Sequence, residues 1–302
     1  MRVAFLGPSG TYGEQAARRF ASLEGWDQVE LHPCPTIRAV VESLAAGSCE
    51  ASVVPVENSV EGGVTAALDA LWTHRDLAIT RALVLPIRHA LLGDGSVEGV
   101  SEVLSHPQAL AQCSQWLADH CPKALQLPTA STAEAARMVR GSRFRAAIAS
   151  LEASREHQLP VLAYPINDIA GNCTRFLLLR RGARAEGGPI ASLAFSLQAN
   201  RPGALLEALA CFARLGLNMS RIESRPSKRE LGEYLFFVDL ELGTSDALQA
   251  RPDPDQAPND AAAPVLEQAL SALEPLCEHL ALFGTYPITS LSETDDHDAA
   301  KR

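Results

Sequence analysis

The stretch "VAFLGPSGTYGEQAARRF" sets three glycines between an apolar run and a helical pattern. A strand-to-helix loop of this kind presents unpaired backbone N–H groups and the positive end of a helix dipole, which suits a small anion such as a carboxylate. Spacing excludes a nucleotide. Gly7, Gly10 and Gly13 read G-x-x-G-x-x-G where the dinucleotide fingerprint needs G-x-G-x-x-G, and no lysine closes a P-loop. Glu57-Asn58-Ser59, in "VPVENSVEGGV", offers a carboxylate, an amide and a hydroxyl, and by itself fits turn and N-cap chemistry. Thr174-Arg175, ahead of "FLLLRR", sets a hydroxyl beside a guanidinium and by itself fits a strand edge. Cys173 has no partner base in its sequence context and reads as a buried thiol. His106, before Pro107, reads as a packed loop residue.

The elements that must position these groups follow one grammar to about residue 182: a β-rich apolar run, a polar loop, an amphipathic helix. That alternation predicts parallel α/β sheets with helices on both faces and ligands at the carboxyl ends of the strands. Residues 9–13, 57–59, 105–108 and 129–132 fall at such ends. "ALVLPIRHALL" and "VLAYPIND" read as two crossings between a pair of lobes with a cleft between them. Beyond "RRGARAEGGP" the order becomes βαββαβ over residues 190–288, a ferredoxin-like α+β unit. An acidic, proline-rich stretch at about 243–264 reads as a disordered insertion in it, and residues 289–302 as a disordered tail. The 302 residues are 47% hydrophobic, and 26 basic against 36 acidic groups leave a charge of −10, which disfavours nucleic acid. No apolar stretch approaches the roughly 18 residues of a membrane span and no secretion signal is apparent, so a cytoplasmic protein is expected. Seven cysteines without a C-x-x-C pair predict reduced thiols, and eight scattered histidines predict no metal site.

Six stretches, "GPSGTYGEQAA", "VPVENSVEGGV", "SHPQALAQC", "ASTAEAA", "AAIAS" and "NDIAGNCTRFLLL", occur in one order and closely resemble the successive motifs of the prephenate dehydratase family. The unit with "RPGALLEAL" and "RIESRP" resembles the ACT regulatory domain that follows in that family, so the resemblance runs from residue 3 to about 287. It implies an α/β two-lobed catalytic domain over residues 1–182, periplasmic-binding-protein-like, followed by the ACT domain. The implied reaction turns prephenate into phenylpyruvate with loss of water and CO2, in phenylalanine biosynthesis, under feedback by phenylalanine. By the same resemblance Thr174 and Glu57 are catalytic, and Asn58, Ser59, Ser105, Gln112, Arg175 and Phe176 bind substrate. Gly203, Ala204, Leu205, Asn218, Glu223, Ser224, Arg225 and Pro226 bind the phenylalanine effector, and a homodimer or homotetramer is implied. Aromatisation of the ring drives the reaction, so no cofactor is expected. The sequence departs from the family pattern at Gly13, where serine is common, at Leu206 and at Ile288. Arogenate as substrate, and a non-catalytic amino-acid sensor, remain open alternatives.

Overall fold

A computed structural model describes residues 1–182, 187–242 and 262–291. The first lobe comprises β1 (Arg2–Leu6), α1 (Tyr12–Leu23), β2 (Glu30–Cys34), α2 (Ile37–Ala45), β3 (Ala51–Asn58), the short β4 (Gly62–Gly63), α3 (Thr65–Thr73) and β5 (Leu77–Pro86). The second comprises β6 (Ala90–Leu92), β7 (Glu102–Ser105), α4 (Pro107–Gln112), α5 (Ser114–His120), β8 (Leu125–Pro128), α6 (Thr132–Val139), β9 (Arg145–Ala149), α7 (Leu151–His157) and β10 (Val161–Ala163). The chain then returns to the first lobe as β11 (Cys173–Arg181).

Both sheets are mixed, which corrects the expectation of parallel ones. In the first, β1 is parallel to β2 and β3, while β11 runs antiparallel between β3 and β5. In the second, β7 is parallel to β8 and β9, whereas β6 is reversed, running antiparallel to both of its neighbours, β9 and β10. The cause is topological: each crossing enters its new sheet from the far lobe and lies against the strand direction already present. Apolar strands of β1, β3 and β11 are buried on both faces, with Val3, Phe5 and Phe176 packed under α1 and Val54, Val56 and Leu177 under α2 and α3.

The C-terminal unit comprises β12 (Ile190–Leu197), α8 (Ala204–Arg214), β13 (Asn218–Pro226), β14 (Tyr234–Glu241), α9 (Ala262–Leu273) and β15 (Cys277–Tyr286). Its strands order as β13-β14-β12-β15, all antiparallel. The helices cover one face, where Phe212, Leu266 and Leu273 meet Phe195 and Val238. The other face is not solvated: Leu235, Phe237, Phe283 and Tyr286 share one core with Leu68, Leu71 and Ile79 of the first lobe. The remaining strand, β16 (Ile288–Ser290), adds to β5 in parallel, so residues 289 and 290, expected in the tail, belong to the first sheet. Of the expected insertion, residues 243–261 lie outside the described residues and 262–264 already form the start of α9; the tail from 292 onward also lies outside. Among the described residues no helix is long and apolar enough to cross a membrane.

At Gly13, where the resembled family commonly has serine, this structure leaves little room for a side chain. A Cβ there would stand 2.7 Å from the Leu6 carbonyl oxygen, because α1 begins hard against the end of β1. Gly13→Ala is expected to cost about 1–3 kcal/mol of stability. A urea midpoint unchanged from wild type would show that the loop yields freely.

Candidate active site

The two crossings lie side by side where the sequence placed them. Ile87 N donates to Asn172 O at 2.8 Å and Ile166 N to His89 O at 2.9 Å. Asn167 clamps the pair, accepting from His89 N at 2.7 Å and donating to Ile87 O at 3.1 Å. Beside them opens a cleft of about 380 Å³ between the lobes, walled by Leu6, Ile37, Val64, Ile87 and Phe176 and reached by Tyr12, Asn58, His89, Gln112 and Thr174. Among the described residues that line it, none is Lys, Arg, Asp or Glu. Instead, five helices begin at its wall: α1 through Tyr12, α2 through Ile37, α3 through its N-cap Val64, α4 through its N-cap His106, and α6 through its N-cap Ser131. Each brings first-turn N–H groups that the helix itself cannot satisfy. The opening glycine loop contributes Gly7, Thr11, Tyr12 and Gly13 to the wall, but Gly10 N is already bound to Glu14 Oε2 at 2.7 Å.

Thr174 sits at the start of β11, directly opposite Asn58 at the end of β3. Asn58 Nδ2 donates to Thr174 Oγ1 at 2.9 Å and to Asn172 Oδ1 at 3.0 Å. The amide cannot be turned over, because its Oδ1 accepts from the backbone N–H of both Val60 and Glu61 at 3.0 Å. Thr174 Oγ1 therefore receives a hydrogen bond, and its own proton is left for an acceptor elsewhere. The polar chain continues inward: Asn172 Nδ2 donates to Gln112 Oε1 at 3.0 Å, and that same oxygen lies 3.1 Å from His89 Nε2. A carbonyl oxygen only accepts, so Nε2 carries the proton and Nδ1, 3.4 Å from the Tyr12 hydroxyl, carries the lone pair. Burial lowers the His89 pKa, opposed by its bond to Gln112, so the ring stands neutral at pH 7.

The predicted site residues divide. The structure brings Thr174, Phe176, Asn58 and Gln112 to the cleft. Ser105 is not there: fully buried, its hydroxyl ties β7 to β9 by donating to Ile148 O at 2.7 Å. Ser59 accepts from Cys173 N at 3.0 Å and fastens the entry to β11 without lining the cleft. Arg175 and Glu57, assigned to substrate and catalysis, are turned away from it. Successive residues of a strand alternate faces, so the rung Asn58/Thr174 faces the cleft and the rung Glu57/Arg175 faces the ACT sheet. There Arg175 Nη2 lies 2.9 Å from Glu57 Oε2 and 2.7 Å from Asp239 Oδ2. Sequence reasoning placed Glu57 and Asn58 in a loop, whereas β3 runs through both, and that difference decides their faces.

Of the effector residues, Gly203 caps α8 in the left-handed region at φ 85°, followed by Ala204 and Leu205. Asn218 opens β13 and donates to Glu241 Oε2 at 2.7 Å. Glu223 and Arg225 point toward the first lobe, Arg225 pairing with Asp69 at 3.2 Å, while Ser224 and Pro226 are exposed on the other side of the strand. His89 and Asn172 escaped the sequence reading. His89 is embedded in the apolar "ALVLPIRHALL", but Asn172 stands two residues before Thr174, the spacing that puts two strand residues on one face. Six cysteines are buried as expected; Cys173 is only half-buried.

A prephenate dehydratase family model matches residues 3–184, and an ACT domain model matches residues 191–248. Prephenate dehydratase from Amycolatopsis methanolica is 36% identical over 288 residues, 94% of this chain and 88% of its own. Prephenate dehydratase from Arthrobacter aurescens, solved in complex with L-Phe, superposes with a TM-score of 0.81 at 33% identity, over 95% of this chain and 90% of that one. The quorum quenching acylase GqqA superposes with a TM-score of 0.77 at 26% identity, over 96% and 98%. With more than half of its length matched by one family model, and with that likeness extending through the regulatory unit, the chain belongs to the prephenate dehydratase family.

Proposed function

We propose that the protein catalyses the decarboxylating dehydration of prephenate to phenylpyruvate, with phenylalanine at the ACT domain as feedback effector. The observation that carries the mechanism is the locked Asn58 amide donating to Thr174 Oγ1 at the wall of an uncharged cleft. The threonine proton is then free to hydrogen-bond the ring hydroxyl as it departs. The C–O bond breaks with its electron pair on oxygen, which takes the Thr174 hydroxyl proton and leaves as water, the threonine being reprotonated from solvent. The electron pair of the bond to the ring carboxylate moves into the ring, and CO2 is released. Helix N-termini supply N–H groups for the two carboxylates without a fixed cation. That suits the chemistry, because an arginine on the ring carboxylate would hold most strongly a charge that the transition state is shedding.

Arogenate carries an ammonium where prephenate carries a keto group, and the cleft lining offers that ammonium no carboxylate, which favours prephenate. Amide hydrolysis, as in the acylase of similar fold, calls for a base at the hydroxyl; among the described contacts Thr174 Oγ1 meets the Asn58 amide instead. A homodimer or homotetramer is part of the proposal. It is supported by β13, a sheet edge with Ile222 42% exposed, along which a second copy would extend the sheet. Purified protein is expected to form phenylpyruvate from prephenate with chelator present and no added cofactor, and to be suppressed by phenylalanine. Absence of turnover by folded protein, or a preference for arogenate in competition, would overturn the assignment.

A further inference from the structure

Arg175 has no room for the substrate role that its motif implies. Its side chain is 11% exposed, and its Nη2 is shared between Glu57 of the first lobe and Asp239 of the ACT sheet. Asp239, 1% exposed, is held from the other side by Arg221 Nε at 2.8 Å and by the Ser192 hydroxyl. We propose that Arg175 is a positioning residue: clamped between Glu57 and Asp239, it sets the β3–β11 rung that carries Asn58 and Thr174 and hands the state of the ACT sheet to that rung. The inference rests on the reading of the protein as a phenylalanine-regulated prephenate dehydratase.

Two contacts, linked at their origin by the Arg221–Glu223 pair at 3.4 Å, join β13 to the same hairpin. One runs from Arg221 through Asp239 to Arg175 and Glu57. The other is packing: the Glu223 carboxylate lies against Gly63, which pairs with Glu57 across β3 and β4. Any shift of β13 against β14 alters both contacts. Because Arg175, Asp239 and Arg221 are buried and charged while Glu57 is half-exposed at the rim, a partly broken arrangement of the inner three is disfavoured, and the network favours discrete states over gradual drift. Thr174 and Arg175 are neighbours along β11, as Asn58 and Glu57 are along β3, so a change at the rung facing the ACT sheet reaches the rung facing the cleft within one peptide unit.

The test uses the full chain with Arg175→Lys, Asp239→Asn and the double variant. Steady-state kinetics with prephenate are measured with and without saturating phenylalanine, and phenylalanine binding by titration calorimetry. A positioning role predicts that kcat falls about tenfold in either single variant while KM stays within about threefold, and that the double variant is no worse than the singles. The suppression by phenylalanine shrinks to less than about twofold, although phenylalanine still binds. A rise in KM for Arg175→Lys alone, with kcat and the phenylalanine response intact, or additive effects in the double variant, would overturn it in favour of a substrate ligand. Where Asp239→Asn does not fold, Ser192→Ala removes one bond to the same carboxylate without a charge change and should move kcat and the phenylalanine response in the same direction; a wild-type profile counts against the proposal. Wild-type turnover tests the function reading separately. If the wild type turns over no prephenate, hydrogen exchange of residues 57–63 and 173–176 with phenylalanine still reads the coupling: protection that changes in wild type and not in Arg175→Lys supports it, and unchanged wild-type protection overturns it.

Discussion

Thr174→Val is expected to lower kcat by roughly 10²–10³-fold, the usual effect of deleting one preorganised transition-state donor, while KM and the urea midpoint stay near wild type. Valine reproduces the shape of threonine, and the position is 8% exposed, so the substitution removes a hydroxyl from a well-packed site without opening a cavity. Asn58 Nδ2 loses one acceptor but keeps Asn172 Oδ1 at 3.0 Å and Cys173 O at 3.2 Å, so no buried donor is orphaned. The loss therefore concentrates on the step at which the ring oxygen departs. Thr174→Ser retains the donor and should retain most of the rate, which separates the hydroxyl from the methyl. Phenylpyruvate formation under saturating prephenate is the measurement, and a wild-type kcat in Thr174→Val would take the residue out of the mechanism.

What the sequence made legible was periodicity. Apolar runs of strand length alternating with helical patterns predicted two α/β lobes, and the change of grammar past "RRGARAEGGP" predicted βαββαβ. The crossings were legible because each long apolar run contains a polar break with proline. β2 was missed because "ELHPC" is exposed at most positions and shows no alternation. Strand direction was misread because it depends on which lobe a strand returns from, as β11 does, and no local pattern records that. The site was legible as a set of residues but not as a set of faces. Register assigns side chains to one face or the other, and shifting the boundary of β3 by two residues moves Glu57 and Asn58 from a shared loop to opposite sides of a sheet. Arg175 follows its rung, so the guanidinium that seemed made for a carboxylate substrate finds its carboxylates in Glu57 and Asp239 instead.

That arrangement makes Asp239 the most consequential single carboxylate for stability. Burial pushes its pKa up, but the charges of Arg175 and Arg221, with hydrogen bonds from Arg221 and Ser192, outweigh it and hold the carboxyl below the usual carboxylate range. Asp239→Ala leaves two buried guanidinium groups short of a counter-charge, and is expected to cost about 3–5 kcal/mol in urea unfolding at pH 7. The pH dependence follows by linkage. Between the folded and unfolded pKa values the unfolded chain binds more protons at this site than the folded one, so stability rises with pH there. The contribution is complete above the unfolded value of about 4 and is lost as the pH falls through the lower folded value. The gap between wild type and Asp239→Ala should thus be widest at neutral pH and should narrow on acidification below about pH 5. Because Asp239 lies in the ACT sheet and Arg175 in the first lobe, the same loss should loosen both units together, with tryptophan fluorescence and circular dichroism reporting one midpoint. Two curves that run parallel from pH 7 down to pH 3 would show that the Asp239 carboxylate is not held by its charge partners.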